Sequence, residues 1–245
     1  MTTLIVGASA GLGRALGRAL ARHGHSRLIL VARDPRDLDA EAAHLRHVHG
    51  CDVRTVTADA TDLAALVAGI RSAVPPDAPV RHILFPIGAS RSDDDGRIPP
   101  KALQGLVTTN LTAVMATVQS LLPDLLAAES ADVVGFGSIA AIRGRGANMA
   151  YAAAKRGLES YFESLRHKTA RSGVHIQFYR LGYLDTQQAF GKKLLFPVAS
   201  PDAIAERVVG NLGRDLGTVT LPAFWRLVGL LVRALPWAFY KRTAF

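Results

Sequence analysis

The stretch "TLIVGASAGLGRAL", Thr3 to Leu16, decides the fold. "TLIV" (3–6) is a short apolar run of strand type. It passes straight into a glycine-rich turn, and a helical pattern over 11–23 follows. Strand, glycine turn and helix in this order suit phosphate binding. Glycines permit the tight turn and let the backbone approach a pyrophosphate, and the helix start offers unpaired N–H groups and a positive dipole end. The spacing here is G-x3-G-x-G, from Gly7 through Gly11 to Gly13, and a glycine turn that binds nothing is the competing reading.

Outward from this unit the same alternation repeats. Strand candidates follow at "RLILVA" (27–32), "DVRTVTA" (52–58), "RHILF" (81–85), "DVVGF" (132–136), "HIQFY" (175–179) and "TVTL" (218–221). Helical periodicity fills 35–48, 61–73, 99–128, 148–172 and 201–213. Strand–helix alternation of this kind predicts an α/β fold, a doubly wound parallel sheet with helices on both faces. There is no repeat at a solenoid period and no long linker, so one domain is expected.

Composition narrows the function classes. The 245 residues are 49% apolar and 20% charged, as in a folded globular chain with a sizeable core. Cys51 is the sole cysteine, which excludes an intrachain disulfide and makes a poor metal site. His44, His47 and His49 lack carboxylate ligands at metal spacing, so no metal is expected. "MTTLIVG" has no charged leader region, and a reducing cytoplasmic setting is the default expectation. The formal charge of +9 points to an anionic partner: a phosphorylated cofactor, a nucleic acid or an acidic membrane. Nothing in the chain matches a nucleic-acid recognition motif.

The strand tips carry the next signals. In "VARDPRD", Arg33 comes first and Asp34 behind it, about 20 residues beyond the glycines. An arginine there accommodates the 2′-phosphate of NADP and an acid the 2′-OH of NAD, so NADP is favoured over NAD; two solvated loop charges are the alternative. Asp59 closes the third strand, either as an adenine contact beside Ala60 or as the N-cap of the next helix, a place Thr61 also fits.

"YAAAK", Tyr151 to Lys155, sets a phenol and an ammonium four residues apart on one helix face. A nearby ammonium lowers a phenol pKa from about 10, so the tyrosine can give a proton to a carbonyl oxygen. Ser138, thirteen residues upstream at a strand end, can hydrogen-bond the same oxygen. Asn110 can interrupt the long helix 99–128 and hold a water against Lys155.

In this order the chain resembles the short-chain dehydrogenase/reductase family over nearly its whole length. "GASAGLG" is similar to the family's cofactor loop, which implies contacts from Gly7, Ser9, Gly11, Leu12 and Gly13. The resemblance likewise implies adenine contacts from Asp59 and Ala60, and a catalytic set of Asn110, Ser138, Tyr151 and Lys155, with Lys155 also on the nicotinamide ribose. "YRLGYLDT" implies that Gly182, Leu184 and Thr186 position the carboxamide end. Two departures stand out. The family's Asn-Asn-Ala-Gly appears as "FPIG", Phe85 to Gly88, where only Gly88 remains, and its Pro-Gly appears as Leu181-Gly182, which is expected to loosen that turn. A narrower resemblance, through "GSIAAIRGRGANMAYAAAK" and the tail, is to the branch with the reductase of a polyprenyl-phosphate-linked keto-pentose.

The expected protein is thus a Rossmann-type NADPH-dependent reductase of a small-molecule carbonyl, a ketone or keto-sugar, catalytic over 1–221 and homo-oligomeric. The alternatives are a dehydrogenase of another hydroxylated molecule, such as a steroid or acyl substrate, and a non-catalytic nucleotide sensor on the same fold. In the tail, 222–245, Trp225, Leu227, Leu230, Leu231, Trp237, Phe239 and Tyr240 supply apolar area beside Arg226, Arg233, Lys241 and Arg242. Pro236 breaks it and no run is long enough to span a bilayer. It reads either as packing against the core or another subunit, or as an interfacial contact at the inner face of the membrane. "SDDDG" (92–96) reads as a solvated loop, and Arg143 and Arg145 as contacts to an anionic substrate or as surface charges.

Overall fold

Alternate residues of the first strand decide which helices cover it. In the structure, a computed structural model that describes residues 1–186 and 196–243, β1 spans Thr2–Val6. Leu4 and Val6 point into one core and Ile5 into the other. Strand β2 (Arg27–Ala32) divides the same way, with Ile29 and Val31 opposite Leu28 and Leu30. A strand buried on both faces reads as a continuous apolar run, which is how "LIV" and "LILV" appear.

Strands β3 (Asp52–Thr57), β4 (Val80–Phe85), β5 (Ala131–Ser138), β6 (Val174–Leu181) and β7 (Gly217–Leu221) complete a seven-stranded sheet in the order β3-β2-β1-β4-β5-β6-β7. Every pairing is parallel. Helices α1 (Gly11–Arg22), α2 (Pro35–His49) and α7 (Pro201–Val209) cover one face through Leu16, Leu20, Leu38, Leu45, Ile204 and Val208. The other face receives α3 (Leu63–Ala73), α5 (Ala113–Leu126) and α6 (Met149–Thr169) through Leu66, Ile70, Val118, Leu121, Leu158 and Phe162.

Helix α4 (Pro100–Val107) joins α5 through a π-helical turn, Thr108–Thr112, centred on Asn110. The interruption expected at Asn110 is therefore present. Among the described residues the run Pro100–Leu126 alone is long and apolar enough to cross a membrane, but Val114, Val118, Leu121 and Leu125 bury it against the sheet. The tail forms two further helices, α8 (Trp225–Ala234) and α9 (Trp237–Tyr240).

The chain order reverses between β1 and β4. At such a switch point the loops leaving neighbouring strands diverge and leave a crevice at the carboxyl ends, the usual place for a ligand in an open parallel sheet.

Candidate active site

A cavity of about 830 Å³ fills that crevice. Gly7, Ser9, Gly11 and Leu12 line it after β1, Arg33 after β2, Asp59 and Ala60 after β3, and Gly88 after β4. Ser138 lines it at the end of β5, Tyr151 and Lys155 from α6, and Gly182, Leu184 and Thr186 after β6. Gly13 and Asn110 do not reach its surface and act from behind it.

The glycine loop owes its shape to close backbone contact. Gly7 has φ +98, and a Cβ there would lie 2.7 Å from the Ile87 backbone; a Cβ on Gly13 would collide with the Gly7 carbonyl. Gly11 has φ +48 and faces Thr186 across the crevice. Helix α1 begins after Ala10 with no side-chain cap and no acid in its first turn. Free N–H groups at a glycine-lined helix start fit the pyrophosphate of a dinucleotide.

At the second strand tip, Asp34 is occupied elsewhere: it caps α2 by accepting a hydrogen bond from Arg36 N at 3.0 Å. Arg33 faces the cavity. Arg14, a residue the sequence reading passed over, also lines it, and its guanidinium donates to the Ser9 carbonyl at 2.7 Å. The signal was an arginine directly after "GLG", indistinguishable in sequence from a surface charge. Asp59 is not a helix cap, since Asp62 caps α3 by accepting from Ala65 N at 2.9 Å. Asp59 instead accepts from Thr61 N and Oγ1, both at 2.8 Å; these bonds, then Arg33, hold its carboxyl below the ordinary range.

At the other end, Tyr151 and Lys155 share the inner face of α6. Lys155 is 4% exposed, and its Nζ donates to the carbonyls of Phe136 at 3.0 Å and Ile87 at 3.3 Å. Burial lowers its pKa to about 8. The expectation that this ammonium lowers the phenol pKa is corrected. Burial raises the Tyr151 pKa, and the groups that pull it back are the Ser138 hydroxyl beside the phenol and the Arg145 charge. Lys155 spends its donors on backbone carbonyls instead.

Asn110 is fully buried. Its amide donates to Ala89 O at 2.7 Å and Leu106 O at 2.9 Å and accepts from Ala89 N at 3.2 Å. It therefore clamps the loop after β4. Gly88 sits between Asn110 and Lys155: a Cβ there would lie 3.1 Å from Asn110 Oδ1 and 3.4 Å from Lys155 Nζ. A side chain at Gly88 would crowd both groups.

The "SDDDG" loop is only partly solvated. Asp94 is 2% exposed and accepts from Ala150 N at 3.0 Å and Tyr151 N at 2.9 Å, so it caps the helix that carries the phenol. No periodicity marks a cap that lies more than fifty residues upstream of its helix.

The turn after β6 is tied, not loose. Gly182 N donates to Leu221 O at 2.9 Å, and Leu184 pairs with Ala199. Trp225 lies against Gly182 so closely that any side chain there would collide with the indole. With Tyr183, Phe196 and Phe224 it forms an aromatic wall. Arg143 lines the cavity but is not a free surface charge. It donates to the carbonyls of Val232 (2.7 Å) and Leu235 (2.6 Å) at the end of α8 and stacks over Tyr240 at 3.9 Å. Through Trp225, Val228 and Val232, α8 lines the cavity. No cluster of metal-ligating side chains occurs among the described residues, the histidines of α2 included.

The comparisons with known proteins agree with this geometry. Residues 1–193 match the sequence profile of the short chain dehydrogenase family. An uncharacterized oxidoreductase of Myxococcus xanthus is 30% identical over 227 residues, 92% of this chain and 88% of that protein. A ketoacyl reductase of Nostoc is 26% identical over 215 residues, 85% of this chain and 74% of that one. Among solved structures, a short-chain dehydrogenase from Sphingobium yanoikuyae in complex with NADPH superposes with a TM-score of 0.81 at 26% identity, covering 97% of each chain. A glycine cradle at a topological switch point, a Ser–Tyr–Lys set at its far end and this match over most of the length place the chain in the short chain dehydrogenase family of NAD(P)-dependent oxidoreductases.

Proposed function

We propose that the protein is an NADPH-dependent carbonyl reductase whose proton donor is Tyr151. One observation carries the reading: the Tyr151 phenol lines the same cavity as the glycine cradle, together with Ser138 and Lys155. A phenol that stays protonated at neutral pH is a donor, the role reduction requires. A bare nucleotide sensor has no need of it.

The residues divide the work. Gly7, Ser9, Gly11 and Leu12 cradle the pyrophosphate, with Gly13 keeping the helix start close to the loop. Arg33 takes the 2′-phosphate, aided by Arg14, while Asp59 and Ala60 flank the adenine. Lys155 holds the nicotinamide ribose, and Gly182, Leu184 and Thr186 flank the carboxamide. When bound, the cofactor supplies a hydride to the carbonyl carbon. Ser138 donates a hydrogen bond to the carbonyl oxygen, and Tyr151 gives that oxygen its proton. Asn110 keeps the β4 loop in place behind Lys155.

The wall of Trp225, Tyr183, Phe196, Val228 and Val232 favours a substrate with a large apolar part. Arg145, beside the phenol, suits an oxygen-rich or anionic neighbour of the carbonyl. A ketone or keto-sugar on an apolar carrier combines both features. The ketoacyl reductase among the relatives supports carbonyl reduction at large.

The test follows NADPH and NADH absorbance against a panel of ketones, keto-sugars and acyl ketones, with wild type and Arg33→Ala. Wild type consumes NADPH in preference to NADH with at least one substrate. Arg33→Ala loses NADPH affinity by roughly tenfold or more, as expected for a charged contact of 1.5–3 kcal/mol, and keeps its NADH affinity. Preference for NADH in the wild type, or equal loss for both cofactors in the variant, contradicts the assignment of Arg33.

A further inference from the structure

Helix α8 is used on both sides. Its inner residues, Trp225, Val228 and Val232, wall the active-site cavity. Its outer face is apolar and uncovered. Leu227 and Leu230 are each 65% exposed and Leu231 61%, and α9 adds Trp237 at 66% and Phe239 at 65%. Single exposed apolar side chains are ordinary; five large ones within thirteen residues are a surface that something covers.

Charge says what covers it. No acidic residue follows Asp215 in the chain, whereas Arg226, Arg233, Lys241 and Arg242 do. Beside α8 lies a second cleft of about 470 Å³, lined by Arg180, Arg207, Arg226 and Arg233 with Thr218 and Thr220. Arg180 is paired with Glu159. Arg207, Arg226 and Arg233 have no carboxylate partner among the described residues, and Ile142, Trp225 and Gly229 line this cleft and the active-site cavity alike. Three unneutralised guanidinium groups around one cleft call for an anion with several acceptor oxygens, and phosphate has the matching geometry.

We propose that α8 and α9 dock on an anionic phospholipid bilayer, with the leucines, Trp237 and Phe239 inserted at the interface and lipid phosphate groups held by Arg207, Arg226 and Arg233. Large apolar side chains beside basic ones, with aromatic rings at the boundary, make the pattern of a helix lying in a membrane interface. A second copy of the chain is the poorer occupant. A two-fold contact through α8 brings the Arg226 and Arg233 charges of both copies into one interface, with no acid in the segment to neutralise them. Trp225 takes no part in docking. It is 3% exposed and belongs to the cavity wall, which corrects the sequence reading that grouped it with Trp237. Docked this way, one side of α8 faces lipid and the other faces the active site, which suits a substrate held in the bilayer.

Flotation with phosphatidylcholine vesicles, with and without phosphatidylglycerol, tests the proposal. It reads binding without catalysis, so its outcome stands apart from that of the reductase assay. Wild type floats with the anionic vesicles and is released as salt is raised. Leu227→Ser/Leu231→Ser does not float but keeps its oligomeric state by light scattering and its turnover of a water-soluble ketone. Arg226→Gln/Arg233→Gln binds about 30-fold more weakly, from roughly fivefold per basic residue at an acidic surface. A wild type that ignores both vesicles overturns the proposal. So does a leucine double variant that dissociates into smaller oligomers, which makes the face a subunit contact. Equal binding to neutral and anionic vesicles, unchanged in the arginine variant, overturns the phosphate site.

Discussion

Two titrating groups four residues apart set the chemistry at the residue scale, and burial pushes their pKa values in opposite directions: the Tyr151 phenol rises while the Lys155 ammonium falls to about 8. Each shift favours the neutral form, as desolvation must. The sign for the reaction follows. Reduction needs the protonated phenol, so raising the Tyr151 pKa extends reductive activity upward in pH. Lys155 carries its charge below about 8 and loses it above. Reductive turnover at subsaturating NADPH is therefore level from neutral pH to about 8 and declines beyond, as Lys155 loses the charge that holds the ribose, whereas oxidation, which needs the phenolate, rises with pH. Stopped-flow rates in both directions check this, and a reductive rate that climbs through pH 8 contradicts it. The residue types and their order were legible in the sequence. The direction of the tyrosine shift was not, because pattern reveals neighbours along a helix but not the Phe136 and Ile87 carbonyls that occupy the lysine.

At the scale of elements, long-range hydrogen bonds decided what local pattern did not. All seven strands were legible, most as apolar runs bounded by turn residues and β3 through Val53 and Val56 among β-branched threonines. β5 and β6 extend past their apolar stretches because Gly137, Ser138, Arg180 and Leu181 pair with each other in register. The π-helical turn at Asn110 was anticipated as an interruption, but its use was not: the side chain reaches Ala89, twenty-one residues away. Asp94 was the larger omission. It caps α6 at Ala150 and Tyr151, so it fixes where the first turn, and with it the phenol, begins. Asp94→Ala removes both acceptors, which costs about 1–2 kcal/mol of stability and lowers Tm by a few degrees. Because Asp94 acts by positioning, kcat falls by more than the affinity for NADPH changes, and Asp94→Asn recovers part of both losses. A variant with lowered Tm but wild-type kcat reduces Asp94 to a purely structural cap.

For the whole molecule, the parallel order of the sheet gathers the functional groups. Residues from Gly7 to Thr186 meet in one crevice because each lies at or beyond the carboxyl end of its strand or on a helix packed beside it. The central claim is that this crevice binds a nicotinamide cofactor and reduces a carbonyl through the Tyr151 hydroxyl. The most direct measurement pairs NADPH affinity by calorimetry with turnover of a responsive ketone in Tyr151→Phe. The variant keeps the aromatic ring against Ser138 and loses only the proton donor. The predicted result is NADPH affinity within about threefold of wild type, less than 1 kcal/mol, and turnover lower by two orders of magnitude or more, the typical contribution of a positioned acid. Turnover near the wild-type level with NADPH still bound would contradict the account and move the proton to another group.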